Sequence, residues 1–362
     1  MDFSRTLIIK PSSLGDVVQA LPELTALRES HPKARIAWLV NESLAGILEG
    51  HPRLDEIIAF PRRRFGRIGR SLGATAEFLA FVESLRQRKF TTVLDLQGLF
   101  RSGFIASATG APSRVGLSTA RELAPLFYTD KVDVPGRDMH AVDRYMMLAR
   151  HVGLADPKAT DHLPVTGESR AAVRRRLAEA GLQAGEPLVA VSAHARWPTK
   201  EWPAERFAEV LDRAHAETGA RAVLLGSAAA AAGARTITQA SRARPIDLTN
   251  RTTLQELVAI IAEARAMLTN DSGPMHVAAA VGTPVVAVFG PTNAVRTGPY
   301  GPGHCVIAGR APCSPCYRRD CLYAGGPRAM ECLTSVTSEE VARHLLEALA
   351  PENDQGPSTN AQ

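Results

Sequence analysis

At 362 residues the chain is long for a single core and suits two domains. Its composition, 45% hydrophobic and 22% charged, is that of a globular protein, and no run of roughly eighteen apolar residues exists to span a bilayer. A formal charge of +5 suits an anionic partner, but aromatics at 5% and the lack of any nucleic-acid motif argue against nucleic acid. Five cysteines, an odd number, argue against a disulfide framework. The opening MDFSRTLIIKPSSLGD has too short an apolar run for a signal peptide and reads as a first strand, so a cytoplasmic location is expected.

In chain order, Thr6 to Ile9 is a β-rich run, followed by a Ser/Gly loop and an apolar-periodic helix beginning near Asp16. The Gly and Lys spacing of a phosphate-binding P-loop is absent. Strands follow at Arg35 to Val40 and Glu56 to Phe60. Next comes an arginine run, Arg62, Arg63, Arg64, Arg67 and Arg70, which suits a solvated loop or a flexible anion grip. A helix from Ala74 to Gln87, a strand from Thr91 to Leu96 and a helix opened by His140 continue the alternation. Near Leu154 to Gly167 the pattern dissolves into Asp, Pro, Thr and Gly, the composition of a linker.

The second half restarts with a helix from Ala171 and the strand Leu188 to Ser192, then a polar loop carrying His194, Trp197 and Lys200. Met267 to Pro291 reads as buried strand, polar turn, small-residue helix and second buried strand. The turn Asn270-Asp271-Ser272-Gly273 sits at a helix N-terminus, where free N–H groups and the dipole favour phosphate. Alternating strands and helices in both halves imply an α/β chain of two doubly wound Rossmann-like domains, residues 1–165 and 166–350, with a disordered tail at 351–362. Ligands of such sheets bind beyond the carboxyl ends of strands, where most of these polar loops lie.

Three spaced motifs, the SSLGD of Ser12 to Asp16, Lys200-Glu201-Trp202-Pro203, and NDSGPMHVAAAVGTPVVAVFGPT from Asn270, resemble glycosyltransferase family 9, the ADP-heptose:lipopolysaccharide heptosyltransferases. LDLQGLFRSG from Leu94, AREL from Ala120 and HAVDR from His140 are most similar to the heptosyltransferase I branch. The resemblance runs from about Thr6 to about Leu349. It implies the GT-B fold, inversion at the transferred anomeric carbon, ADP-heptose as donor and an acceptor of lipid A bearing octulosonic acid. It further implies peripheral contact with the inner face of the cytoplasmic membrane. A GT-B transferase or epimerase for a different nucleotide-sugar is the alternative.

Within that resemblance Asp16 is the catalytic base, and a helix cap is the other reading of the same residue. Lys200, Asp271, Ser272, Gly273 and His276 form the donor site, and Arg63, Arg64, Arg101, Arg121 and His140 the acceptor site. The glycine turn at Gly226 is followed by Ser227 and alanines, where some relatives place a Glu for the ribose. No Asp-x-Asp pair occurs, so no cofactor is expected for catalysis. Cys313, Cys316, Cys321 and Cys332 cluster within twenty residues and suit either a structural zinc or iron site or reduced, packed thiols.

Overall fold

The computed structural model describes residues 1–67, 69–136, 138–160 and 162–350. The expected tail at 351–362 lies outside the described residues. Two six-stranded sheets organise the chain. The first contains β1 (Arg5–Ile9), β2 (Arg35–Asn41), β3 (Glu56–Phe60), β4 (Thr92–Asp95), β5 (Ser113–Leu117) and β6 (Asp130–Val132), in the order β3-β2-β1-β4-β5-β6. The second contains β7 (Leu188–Ser192), β8 (Arg221–Leu224), β9 (Ile246–Asp247), β10 (Ala266–Asn270), β11 (Val285–Phe289) and β12 (Cys305–Ala308), in the order β12-β11-β10-β7-β8-β9. Every pairing is parallel.

The central strands β7, β10 and β11 are buried along their whole length, which is why they read as continuous apolar runs. Both sheets reverse their winding between two central strands, β1 and β4 in the first and β7 and β10 in the second. At such a point the loops beyond the strand ends part and leave a crevice.

The two halves meet through the helix Leu14–Gln19 and the helix Gly273–Val281. One apolar cluster runs through this seam, from Val17, Val18 and Leu21 to Met275, Val277 and Ala278. Close approach depends on two glycines. A Cβ on Gly15 would lie 2.3 Å from Cδ2 of His276, and one on Gly273 would lie 3.2 Å from Cβ of Leu14.

Two expectations about the front of the chain need correction. The first helix is two helices, Leu14–Gln19 and Leu21–Ser30, because Pro22 opens the second one and cannot donate within a continuous turn. The helix also begins earlier than Asp16. Ser13 is its N-cap residue, and Asp16 stands three residues further on, its carboxylate accepting from the Ser13 N–H at 2.7 Å. The arginine run is partly ordered as the short helix Arg62–Phe65, with Phe65 buried against Phe60, Phe78 and Phe81. Ser71 then caps the helix Leu72–Gln87.

Candidate active site

Beyond the carboxyl ends of β1, β7, β8, β9 and β10 lies a cavity of about 660 Å³. Asp16 from the first half and Lys200, Asp271, Ser272, Gly273 and His276 from the second all line it. These six residues, drawn from widely separated stretches of sequence, meet in one space.

Asp16 sits on the first turn after β1, with its side chain 42% exposed to the cavity. It accepts from Ser13 Oγ at 2.6 Å as well as from the Ser13 backbone. Lys10 lies behind it, buried, with Nζ 3.9 Å from Asp16 Oδ1 and donating to the carbonyl of Leu96 at 3.0 Å. Desolvation at the base of the cleft pushes the Asp16 carboxyl up, but the Lys10 charge and the Ser13 bonds outweigh it. The net result holds the carboxyl below its ordinary value. Burial alone would lower Lys10, yet Tyr145, Asp16 and Asp95 outweigh it and hold the ammonium above its usual range. The pair is therefore charged at neutral pH. A carboxylate that stays ionised and faces an open space can accept a proton.

Opposite, the helix Gly273–Val281 presents its N-terminus to the cavity with no side chain bonded across it. Ser272 occupies the cap position, but its Oγ is 3.2 Å from Thr269 Oγ1 instead of turning back on the helix. Gly282 closes the far end at φ +82, a conformation natural to glycine. Burial pushes His276 down to about 4, opposed in part by Asp271 and Asp16, so its imidazole is neutral at pH 7. Its Nδ1 is buried without a partner among the described residues.

Lys200 does not stand free in the cavity wall. Its Nζ is 2.6 Å from Asp271 Oδ2, which also accepts from Thr292 Oγ1 at 2.6 Å. Its charge is thus already balanced within the wall. Arg196 and Arg319 also line the cavity, and among the described residues no carboxylate pairs with either guanidinium. Sequence reasoning gave neither residue a role in the site. Arg196 stands in the same polar loop as Lys200 and could have been flagged by its proximity. Arg319 lies in the cysteine segment, and nothing local connects it to the site.

The acceptor residues are not gathered into this cavity. Arg63 and Arg64 line a separate groove of about 430 Å³ with Arg67, Ser71 and Glu77. Arg101 is exposed in the first turn of the helix Phe100–Ala108, which follows the loop beyond β4, and Arg121 is exposed on the loop beyond β5. Those loops are held together where the Arg121 N–H donates to the Gly98 carbonyl at 2.9 Å. Buried Asp95 shapes the first of them, accepting from the N–H groups of Gln97 and Gly98 and from Ser102 and Tyr128. His140 caps its own helix through Nδ1 and bonds the Gly298 carbonyl of the other half at 3.1 Å, with its ring 4.8 Å from that of Tyr300.

Cys313, Cys316, Cys321 and Cys332 do come together, around a cavity of about 20 Å³. Among the described residues, however, no group of three or more His, Cys, Asp or Glu side chains is disposed to hold a metal ion. Burial and the three other thiols push Cys332 up to about 11, so it is a neutral thiol. Among those residues the expected structural zinc or iron thus finds no ready ligand set.

Two doubly wound sheets facing one crevice, with a carboxylate from one half and a helix N-terminus from the other, define a glycosyltransferase of the GT-B class. Residues 78–325 match the model of glycosyltransferase family 9 (heptosyltransferase). The chain is 31% identical over 323 residues to lipopolysaccharide heptosyltransferase 1 of Pseudomonas aeruginosa, covering 88% of each chain. A solved glycosyltransferase family 9 structure from Veillonella parvula superposes with TM-score 0.83 at 26% identity, over 96% of this chain and 98% of that one. Heptosyltransferase WaaC of E. coli, solved with ADP, superposes with TM-score 0.74 at 27% identity, over 95% and 99%. The chain belongs to glycosyltransferase family 9.

Proposed function

We propose that the protein is an inverting heptosyltransferase that moves heptose from ADP-heptose to the octulosonic acid/heptose inner core of lipopolysaccharide. Relatives named as lipopolysaccharide heptosyltransferases, and solved relatives holding ADP and ADP-2-deoxy-2-fluoro heptose, support the donor and the reaction class. The single observation that supports it most is the shared cavity, in which Asp16 faces the donor-side wall of Lys200, Asp271, Gly273 and His276.

In this reading the chain divides near residue 165 into an acceptor-binding and a donor-binding domain. The acceptor hydroxyl gives its proton to the Asp16 carboxylate as its oxygen bonds to the anomeric carbon. On the opposite face the bond from that carbon to the diphosphate breaks, and its electron pair leaves on the phosphate oxygen. The growing charge meets Lys200, the N–H groups at Ser272 and Gly273, and neutral His276. Arg63, Arg64, Arg101 and Arg121 hold the anionic groups of the lipid acceptor, while His140 contributes by holding the seam with Gly298 and Tyr300. No metal takes part in the transfer. The protein works in the cytoplasm, at the inner face of the membrane; among the described residues no helix is long and apolar enough to cross one.

Asp16→Asn tests the assignment, read by mass spectrometry of the lipid product in the presence of EDTA. Transfer should fall by about a hundredfold or more, while ADP binding stays close to that of the wild type. Undiminished transfer by the variant would remove Asp16 from its role, and wild-type turnover lost to EDTA and restored by Mg2+ would overturn the metal-free mechanism.

A further inference from the structure

The four-cysteine segment plays no part in the mechanism above, yet one of its arginines reaches the cavity. Arg319 lines the cavity, and its guanidinium carbon is 5.4 Å from the centroid of Trp197. The ammonium of Lys200 approaches the same ring at 4.7 Å. Trp197 thus carries two cations. Lys200 is paired with Asp271, whereas Arg319 has no carboxylate partner among the described residues.

The segment behind Arg319 is tied down on several sides. Ser314 Oγ donates to the Gly290 carbonyl at 2.6 Å, and the Tyr317 N–H donates to the Pro291 carbonyl at 2.8 Å. The residue next to Arg319 is held most directly, since buried Thr199 donates through Oγ1 to the Arg318 carbonyl at 2.6 Å. Thr199 also lines the small space shared by the four thiols. At its far end the segment is wedged against the sheet. A Cβ on Gly309 would lie 2.0 Å from the Cys332 carbonyl oxygen, and one on Gly290 would lie 3.3 Å from the Cys332 sulfur. The thiol cluster, Thr199 and Arg319 form one connected, anchored unit.

Strand order says which part of a ligand this arm would meet. Gly226, Thr252 and Leu254 follow β8 and β9, at one end of the sheet's carboxyl edge. Arg319 follows β12 in the chain, but its guanidinium stands over Trp197 in the loop after β7, the strand beside β10. The helix N-terminus at Ser272 and Gly273 follows β10, and Lys200, which approaches the same Trp197 ring, pairs with Asp271 beside it. A nucleoside on the β8–β9 side, where Leu254 and Leu257 offer apolar surface, sends its diphosphate toward Gly273 and the Trp197 loop over which Arg319 stands. Each phosphate of a sugar-linked diphosphate brings a negative charge. A guanidinium fork, unpaired and stacked over a ring, is suited to meet the outer one.

We propose that the cysteine segment is a donor-binding arm, which holds Arg319 over Trp197 to grip the sugar-side phosphate of the nucleotide diphosphate. This rests on the nucleotide-sugar reading above. In that reaction the outer phosphate carries the leaving oxygen, so the arm acts on donor affinity and on departure together.

The test compares ADP with AMP by calorimetry on the full chain, because the two probes differ in that outer phosphate alone. Arg319→Ala should weaken ADP about ten- to hundredfold, and AMP by no more than about twofold. Thr199→Val, which leaves the guanidinium in place but cuts the bond to the Arg318 carbonyl, should lower ADP affinity in the same direction by a smaller factor. Unchanged ADP affinity in Arg319→Ala, or equal losses for ADP and AMP, would overturn the proposal. Unchanged ADP affinity in Thr199→Val would overturn the anchoring role. Should the wild type bind neither ADP nor AMP, the adenine-nucleotide reading itself is wrong, and the same comparison with UDP and UMP decides whether the arm grips an outer phosphate.

Discussion

Asp16 and Lys10 form the smallest unit whose chemistry can be separated from the rest. A base must be ionised to work, so the rate should fall as pH drops through the Asp16 pKa and stay flat above it. Lys10 is the largest of the influences that hold that pKa below its ordinary value. The acid limb of kcat/KM in the wild type should therefore lie below about 3.9, the ordinary aspartate value. Lys10→Met removes the opposing charge but keeps the stem packed beside Tyr145. The sign is upward: with no cation nearby, the carboxylate is less favoured and the limb should move to higher pH. The position of the limb, and not the height of the plateau, is the readout, because any loss of fold would scale the whole profile. An unmoved limb would show that the titrating group is not Asp16.

One element scale up, the seam between the helices Leu14–Gln19 and Gly273–Val281 sets how the carboxylate faces the donor wall. Its tightest point is Gly15 against the His276 ring. Gly15→Ala should cost about 1–3 kcal/mol in denaturant unfolding, because a packed imidazole has little room to retreat. His276→Ala vacates that space, so the double variant should be more stable than the two single losses add up to. Strict additivity would mean that the seam opens freely and does not set the geometry. This element also shows what could be read in advance. The β10–helix–β11 unit was legible because buried parallel strands are continuous apolar runs, and a polar turn between them marks a helix start. β9 and β12 were not, since Ile246–Asp247 is too short for any period, and Cys305–Ala308 lies among Gly and Pro. The break at Pro22 was hidden by unbroken apolar periodicity on both sides of it. At the site, the residue types were legible but their pairing was not. That Lys200 is balanced by Asp271, while Arg196 and Arg319 have no carboxylate partner among the described residues, depends on loops folding back from distant strands.

For the molecule as a whole, the proposed contact with an anionic membrane surface requires a face that is both apolar and basic. The N-terminal half carries one. Leu72 and Leu79 lie seven residues apart on one side of the helix Leu72–Gln87, exposed at 92% and 62%. Beside them Phe78 stacks on exposed Phe104, and both Phe104 and Phe100 set their edges against Phe127. Leu123 and Leu126, at 67% and 74%, extend the patch. Gly103 makes this packing possible, because a Cβ there would meet Phe127 at 2.9 Å and the Ala124 carbonyl at 3.0 Å. The groove of Arg63, Arg64 and Arg67 opens at the start of the same helix, where Glu77 offsets part of the charge through Arg64. Apolar side chains entering the headgroup layer, with arginines at their margin, gain from both burial and anionic lipid, the latter by about 1 kcal/mol per basic residue. The protein should therefore sediment with phosphatidylglycerol-containing vesicles, far less with pure phosphatidylcholine, and release as salt rises to about 0.5 M. Leu72→Glu with Leu126→Glu should weaken vesicle binding by roughly fivefold or more, while transfer to an acceptor lacking acyl chains keeps its wild-type rate. Vesicle binding that survives the double variant would move the docking face elsewhere. A wild-type dimer that those two substitutions dissolve would instead make the patch a contact between copies of the chain, and the membrane assignment would fall.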